Sequence, residues 1–245
     1  MASASLSDTA EMITCQGVQF PPDPAIITPR VATKLRRQTY EGMEVHGLGR
    51  MSLEDVPILE LGAGIGFVSS FLMGPLRAGP VTCVEANPAL CGYIAQVHRA
   101  NGLTAPHPIN AVCLSDSAEM PESRTLPFHI TDPFWSSTLG NPGKYPHETV
   151  QVPTRRLSDV IAESGAAMIV CDIEGAETEV FTEVEFGPVE RVYLELHTRR
   201  YGGEGILRVF NAFSKYGFFY DQSLSQGGGV LFRRLPRRKR RLMGL

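Results

Sequence analysis

From residue 56 onward, short and almost wholly apolar runs alternate with longer stretches whose apolar residues recur every three or four positions. The runs at 56–61, 81–85, 109–114, 168–172 and 191–196 are rich in Val, Ile and Leu and bounded by turn formers. That pattern predicts strands buried on both faces. Between them, 67–76, 88–101, 157–163, 176–184 and 205–216 carry the period of a helix with one apolar side. Short strands alternating with helices of about 10–15 residues predict βαβ units, hence a mostly parallel, seven-stranded α/β sheet with helices on both faces. Residues 117–147 break the rhythm with Pro, Gly and Ser and predict a hairpin or lid-like excursion; a strand at 149–153 then resumes it. After the last helix, runs at 218–221 and 229–233 follow each other directly, predicting an antiparallel terminal hairpin.

Ahead of this alternation the chain reads differently. Residues 1–27 are polar, then Pro-rich (Pro21, Pro22, Pro24), and predict an irregular lead-in. Thr28-Pro29 sets a capping hydroxyl before a proline at the first helical position, so a helix is expected from 29 to 37. A second, at 40–48, is closed by Gly49. The expected division is a lead-in and helix over 1–39, the main α/β domain over 40–234, and a basic tail over 235–245.

Composition changes this picture only at the edges. A chain of 245 residues that is 43% hydrophobic and 20% charged suits a single soluble domain. Neither a bilayer-length apolar run nor a secretory leader is seen, so no membrane span is expected and a cytoplasmic setting is. The five cysteines (Cys15, Cys83, Cys91, Cys113, Cys171) have neither zinc nor redox spacing. Cys83, Cys113 and Cys171 sit inside strand runs, where a thiol serves as a small core side chain. Seven Arg and Lys lie between Arg233 and Arg241, with no acid from 233 on, so a net charge of −3 leaves the rest of the chain at −10. An acidic body argues against a nucleic-acid groove. The tail reads as a solvated terminus, open at most to weak anionic contact.

Chemistry concentrates at strand ends. In P-I-L-E-L-G-A-G-I-G-F, residues 57–67, a buried strand ends at Glu60-Leu61 and is followed by Gly62, Gly64 and Gly66. Glycines there let the chain turn sharply and let a ligand approach the backbone. Their G-x-G-x-G spacing is not the G-x-G-x-x-G of dinucleotide folds. Glu60 beside them repels phosphate and suits a cation, a requirement met by the sulfonium and ammonium groups of S-adenosylmethionine. In V-T-C-V-E-A-N-P, Glu85 ends the second strand, where an acid takes both hydroxyls of a ribose, and Asn87 follows. Asp116, after the third strand, is placed either to reach an adenine edge or to cap a turn. Glu60, Gly62, Gly64, Gly66, Glu85, Asn87 and Asp116 are therefore the candidate cofactor-binding residues.

These segments together resemble the FkbM family of methyltransferases. The likeness begins at Y-E-G-M-E (Tyr40, Glu41, Glu44) and runs through I-L-E-L-G-A-G-I-G and V-E-A-N-P. Its most specific stretch is A-M-I-V-C-D-I-E-G-A-E-T-E-V-F, residues 167–181, similar to the family's I-K-I-D-V-E-G-A-E; V-Y-L-E-L-H follows at 192–197. Glu60 replaces an Asp, Gly64 a frequent Asn, and Cys171 a frequent Lys. The resemblance implies a Rossmann-like class I methyltransferase fold, S-adenosylmethionine as cofactor, and transfer to a hydroxyl oxygen of a small molecule or sugar.

Ligands of open α/β sheets bind beyond the carboxyl ends of the strands. Asp172 ends one strand and His197 the next, and with Glu174 they are the candidate catalytic residues. Asp172 or His197 would serve as base and Glu174 would orient the acceptor. No resident metal is assigned, although Asp172 and Glu174 with Glu195 or His197 form an oxygen-rich set that suits a divalent cation. Glu177 reads as a first-turn acid of a helix. Phe134, Trp135, Ser136 and Ser137 in the excursion are placed to cover the site. Two other readings stand beside this one. A nucleotide-dependent oxidoreductase is disfavoured by the glycine spacing, and a non-catalytic binding module by the intact Glu60, glycine and Glu85 set.

Overall fold

In the computed structural model, which describes residues 11–244, the apolar runs assemble as their patterning dictates. The central strands are β3 (Ile58–Leu61), β4 (Val81–Glu85), β5 (Ile109–Asn110), β9 (Met168–Cys171), β10 (Arg191–Glu195), β11 (Phe218–Tyr220) and β12 (Gly229–Arg234). They form one seven-stranded sheet in the order β11-β12-β10-β9-β3-β4-β5. Neighbours from β10 to β5 are parallel, and β12 runs antiparallel to both β10 and β11. This is the Rossmann-like sheet with the antiparallel terminal hairpin that the sequence predicts. Winding reverses between β3 and β9, and a cleft opens beyond their carboxyl ends.

Alternation along each strand supplies two cores. Leu59, Leu61, Ile169, Cys171, Val192, Leu194, Val230 and Phe232 face one side. There they meet α5 (Leu157–Ser164), α6 (Glu177–Val180) and α7 (Thr198–Lys215) through residues such as Val160, Phe181 and Phe213. Ile58, Met168, Val170, Tyr193 and Leu231 face the other, towards α2 (Gly42–Leu48), α3 (Phe67–Met73) and α4 (Pro88–Ala100). All five cysteines are buried free thiols. Among the described residues no helix is long and apolar enough to cross a membrane.

Five expectations need correction. The lead-in is not irregular where it is described: β1 (Ile13–Cys15) and β2 (Val18–Phe20) form an antiparallel hairpin whose alternate side chains are buried. Its earlier residues lie outside the described ones. The run at 109–114 is two strands. It outlasts β4, which ends at Glu85, so past Ala111 it leaves the central sheet as β6 (Val112–Leu114) and pairs with β8 (His147–Arg156). The segment 149–153 accordingly belongs to that second, three-stranded sheet, completed by β7 (Thr125–Thr131) against β8, and not to the central one. The helix expected over 176–184 is the single turn α6, whereas α7 begins at Thr198, ahead of the expected 205, with a break at Gly202. The helix over 29–37 appears as α1 (Pro29–Arg36), its first turn capped by Thr28, and the second as α2.

Candidate active site

The carboxyl ends of β3, β4 and β9 open into a cavity of about 740 Å³. Its floor is the glycine turn after β3. Gly62 has φ +81°, and a Cβ there would fall 1.8 Å from the Asp172 carbonyl oxygen, so only glycine lets the two strand ends approach. Gly64 has φ +52° with open space where a Cβ would be, so its backbone is presented to the cavity. Gly66 packs on Ile94 of α4 and belongs to the cap of α3, not the wall.

Glu85 closes this end. One carboxylate oxygen accepts the Gly64 N–H at 2.8 Å and the other the Asn87 N–H at 2.7 Å. Each oxygen keeps a lone pair for a further donor. Asn87 itself caps α4 through the Ala89 N–H. Burial pushes Glu85 up to about 7, held back by its backbone hydrogen bonds. Glu60 is pushed up to about 8 by burial, although bonds from Cys83 and Ser69 favour its charged form. Two acids close to neutrality in an apolar wall suit a ligand that brings positive charge and hydroxyl donors. S-adenosylmethionine has both, and a glycine backbone bare to the cavity gives it room.

Asp116 is not part of this wall. Its carboxylate accepts the Ser158 hydroxyl at 2.5 Å and the Glu185 N–H at 2.8 Å, pinning the loop after β6 to the segment before β10. Both are long-range bonds, so Asp116 ties distant segments together, and it faces a different surface hollow. Ser115 and Ala118 line the cavity in its stead.

At the β9 side the wall carries Asp172 and Glu174. β9 and β10 are neighbours, so His197, just past β10, comes beside them: its Nε2 is 3.4 Å from Asp172 and 3.5 Å from Glu174. His197 stands behind the two acids and not on the wall itself. Its Nδ1 bonds Glu177 at 3.1 Å, and Glu177 also accepts the Ile173 and Gly175 N–H groups. All three acids of D-I-E-G-A-E thus converge on one imidazole. Burial opposes charge on His197, but the bond to Glu177 and the charges of Asp172, Glu177 and Glu174 outweigh it and lift it to about 9. Asp172 is held well above the usual carboxylate range by burial and by Glu195, with His197 pulling the other way. Arg200 grips Glu174 at 2.8 Å, and Glu174 sits at φ +54°, a strained left-handed conformation for a residue with a Cβ.

Three wall residues were given no site role in the sequence reading. Tyr40, Glu41 and Glu44 face the cavity from the start of α2, which the Tyr193 hydroxyl anchors by donating to the Met43 carbonyl. Glu41 is also left-handed, at φ +47°. Burial, then Glu44 and Asp172, hold Glu41 well above its ordinary value. Their signal was the Y-E-x-x-E spacing, two acids three apart beside an apolar helix face. From the excursion, Phe134, Trp135 and Ser137 line the opposite wall while Ser136 does not. The Trp135 ring lies under Arg30 at 4.8 Å and Lys34 at 5.8 Å, so α1 holds the lid.

The family profile for the methyltransferase FkbM domain matches residues 60–220. No curated protein matches the sequence. Among solved structures the chain is similar to M. jannaschii TYW2 in complex with AdoMet, at 15% identity and TM-score 0.46, covering 96% of this chain and 90% of that one. It is similar also to magnesium protoporphyrin IX methyltransferase from Synechocystis PCC 6803 with bound SAM, at 13% identity and TM-score 0.43, covering 86% of this chain and 89% of that one. A TehB-like SAM-dependent methyltransferase from Corynebacterium glutamicum aligns over 87% of this chain and all of its own, at 13% identity and TM-score 0.43.

Proposed function

This chain belongs to the FkbM methyltransferase family and is S-adenosylmethionine-dependent; on that premise we propose that it methylates a hydroxyl oxygen of a small molecule or sugar. The observation that carries the proposal is the adjacency of two chemistries in one cavity. The glycine turn with Glu85 lies directly against Asp172, through the contact of Gly62 with the Asp172 carbonyl.

Glu85 would take the ribose hydroxyls, Gly62 and Gly64 would leave room for the amino-acid end, and Glu60 would face its positive charge. S-adenosylmethionine supplies a methyl group on a sulfonium, which leaves as a neutral thioether. The chain's own task is then to hold the acceptor oxygen in line with that methyl. An alcohol also needs a base, because its pKa is on the order of 15.7. His197, lifted to about 9, already carries a proton at neutral pH. Asp172, on the wall and raised by burial, is the better base. Glu174, fixed by Arg200, orients the acceptor, and His197 with Glu177 positions both acids from behind. Trp135 and Phe134 close the wall against water.

The test is formation of S-adenosylhomocysteine against panels of hydroxyl, amine and thiol acceptors. Turnover with hydroxyl acceptors, falling about 100-fold or more in Asp172→Asn, is the expected outcome. Turnover only with nitrogen, sulfur or carbon acceptors, or near-normal rates in both Asp172→Asn and His197→Ala, would sink it.

A further inference from the structure

The acceptor pocket has a second layer crowded with acids. Glu41, Glu44, Asp172, Glu174, Glu177 and Glu195 lie together, and among the described residues His197 and Arg200 are the basic side chains paired with them. Arg200 is spent on Glu174. We infer that Asp172, Glu177 and His197 bind a divalent metal ion of the borderline kind, such as Zn²⁺ or Mn²⁺, which accepts imidazole nitrogen and carboxylate oxygen together. The inference deepens the reading of this pocket as the acceptor site.

Three observations carry it. One ligand atom from each of the three residues lies within 4.8 Å of the other two. Atoms sharing an ion at bonds of about 2.1 Å sit about 3–4.2 Å apart, so small side-chain adjustments close the set. The second observation is unpaired oxygen. Glu177 is wholly buried, and while its Oε1 takes three donors its Oε2 has no hydrogen-bond partner; Asp172 Oδ1 is buried without one too. Glu44, 4% exposed and drawn electrostatically to His197, adds a third orphan in Oε1. A buried acceptor left unpaired costs about 1–3 kcal/mol, and Glu177 Oε2, wholly buried beside the other two ligands, is one that a shared cation would satisfy. Third, the imidazole pairs only loosely: its Nε2 stands 3.4 Å from Asp172 Oδ1, an ion pair longer than an ordinary hydrogen bond and within the spacing of two ligands on one ion.

The three ligands come from three elements: Asp172 from the end of β9, Glu177 from α6 and His197 from the cap of α7. An ion there would cross-link them, fix Asp172 at the cavity wall and offset the charge that the acids concentrate.

The deciding experiment titrates chelator-treated full-length protein with Mn²⁺, the free ion read by electron paramagnetic resonance and Zn²⁺ added as competitor. S-adenosylmethionine binding is measured alongside. One ion per chain, displaced by Zn²⁺ and weakened at least tenfold in Asp172→Asn and His197→Gln, is the result expected. Glu85→Ala should lose the cofactor and keep the ion. A variant that no longer folds is replaced by Glu177→Gln, judged by the same tenfold criterion. Wild type that binds S-adenosylmethionine but shows no saturable Mn²⁺ or Zn²⁺ binding overturns the inference and leaves the methyltransferase reading intact. Binding undiminished in the folded variants overturns it as well, because the ion then lies elsewhere. Ion binding as expected with no transfer to any hydroxyl acceptor supports the metal site and removes the proposed reaction instead.

Discussion

At the scale of single residues, the glycine turn and its acids make separable demands. Gly62→Ala drives a methyl group into the Asp172 carbonyl at φ +81°. A loss of about 2–4 kcal/mol is expected from urea titration, because two sheet strands must part to admit it. Gly64→Ala meets no atom, so it should lose less stability yet weaken S-adenosylmethionine binding in calorimetry. The acids set a pH dependence. Glu85 and Glu60 rise from 4.5 to about 7 and about 8 on folding, so the folded chain holds their protons more tightly than the unfolded one. Their contribution to stability is complete below about 4.5 and is lost as pH rises through 7 and 8. His197, raised to about 9, acts in the same direction. The cofactor-free protein should therefore melt at a falling temperature between pH 6.5 and 8, and Glu60→Gln should flatten that fall. Cofactor affinity should move oppositely, tightening as Glu85 ionises to accept the ribose hydroxyls. Melting curves with and without S-adenosylmethionine across this range check both signs.

At the scale of elements, the strands and the glycine turn were legible because their signals are local. A run such as Ile58–Leu61, buried on both faces, needs no partner to be recognised, and Glu85 is read from its place at a strand end. What depends on pairing was not. Ile109 to Leu114 is one apolar run, and only the end of β4 at Glu85 decides that it changes sheets at Ala111. Asp116 had two readings in sequence, an adenine edge or a turn cap, while its bonds go to Ser158 and Glu185, 42 and 69 residues away. His197 was found by its strand end, but that it stands behind Asp172 follows from α6 placing Glu177 under it. The β7–β8 excursion was seen as a hairpin or lid, while its clamp, Arg30 and Lys34 on Trp135, joins elements a hundred residues apart. Trp135→Ala removes both that clamp and a cavity wall. A several-fold rise in KM for the acceptor, with melting temperature shifted little, is expected from steady-state kinetics. An unchanged KM would make Trp135 a surface ring that only packs.

At the scale of the whole molecule, the division expected from sequence sets residues 1–39 apart from the α/β domain, yet the described part of that segment, from Ile13 on, shares a core with it. Ile13, Cys15, Val18, Phe20, Ile27, Val31 and Leu35 are buried in one cluster with Phe67, Phe71, Leu90, Tyr93 and Val97. Phe20 stacks on Phe67 with centroids 6.0 Å apart, and the Tyr93 hydroxyl donates to the Pro21 carbonyl. Fully burying one large apolar side chain contributes about 1.5–3 kcal/mol, so losing several of them removes an amount comparable with the roughly 5–15 kcal/mol by which a domain is usually stable. The hairpin also backs the site, because α1 holds Trp135 and the chain leads from it straight into Tyr40 and Glu41. The other end is built differently. α8 (Arg237–Leu242) buries no residue, and its Arg240 reaches only the Leu235 carbonyl. Two deletions follow with opposite expectations. Removing residues 1–39 should abolish cooperative unfolding and S-adenosylmethionine binding together, whereas removing 236–245 should change the urea midpoint little and leave cofactor affinity alone. A truncated 40–245 chain that still unfolds in one sharp transition would mean that the lead-in is an appendage after all. The cluster around Phe67 would then have to close without it.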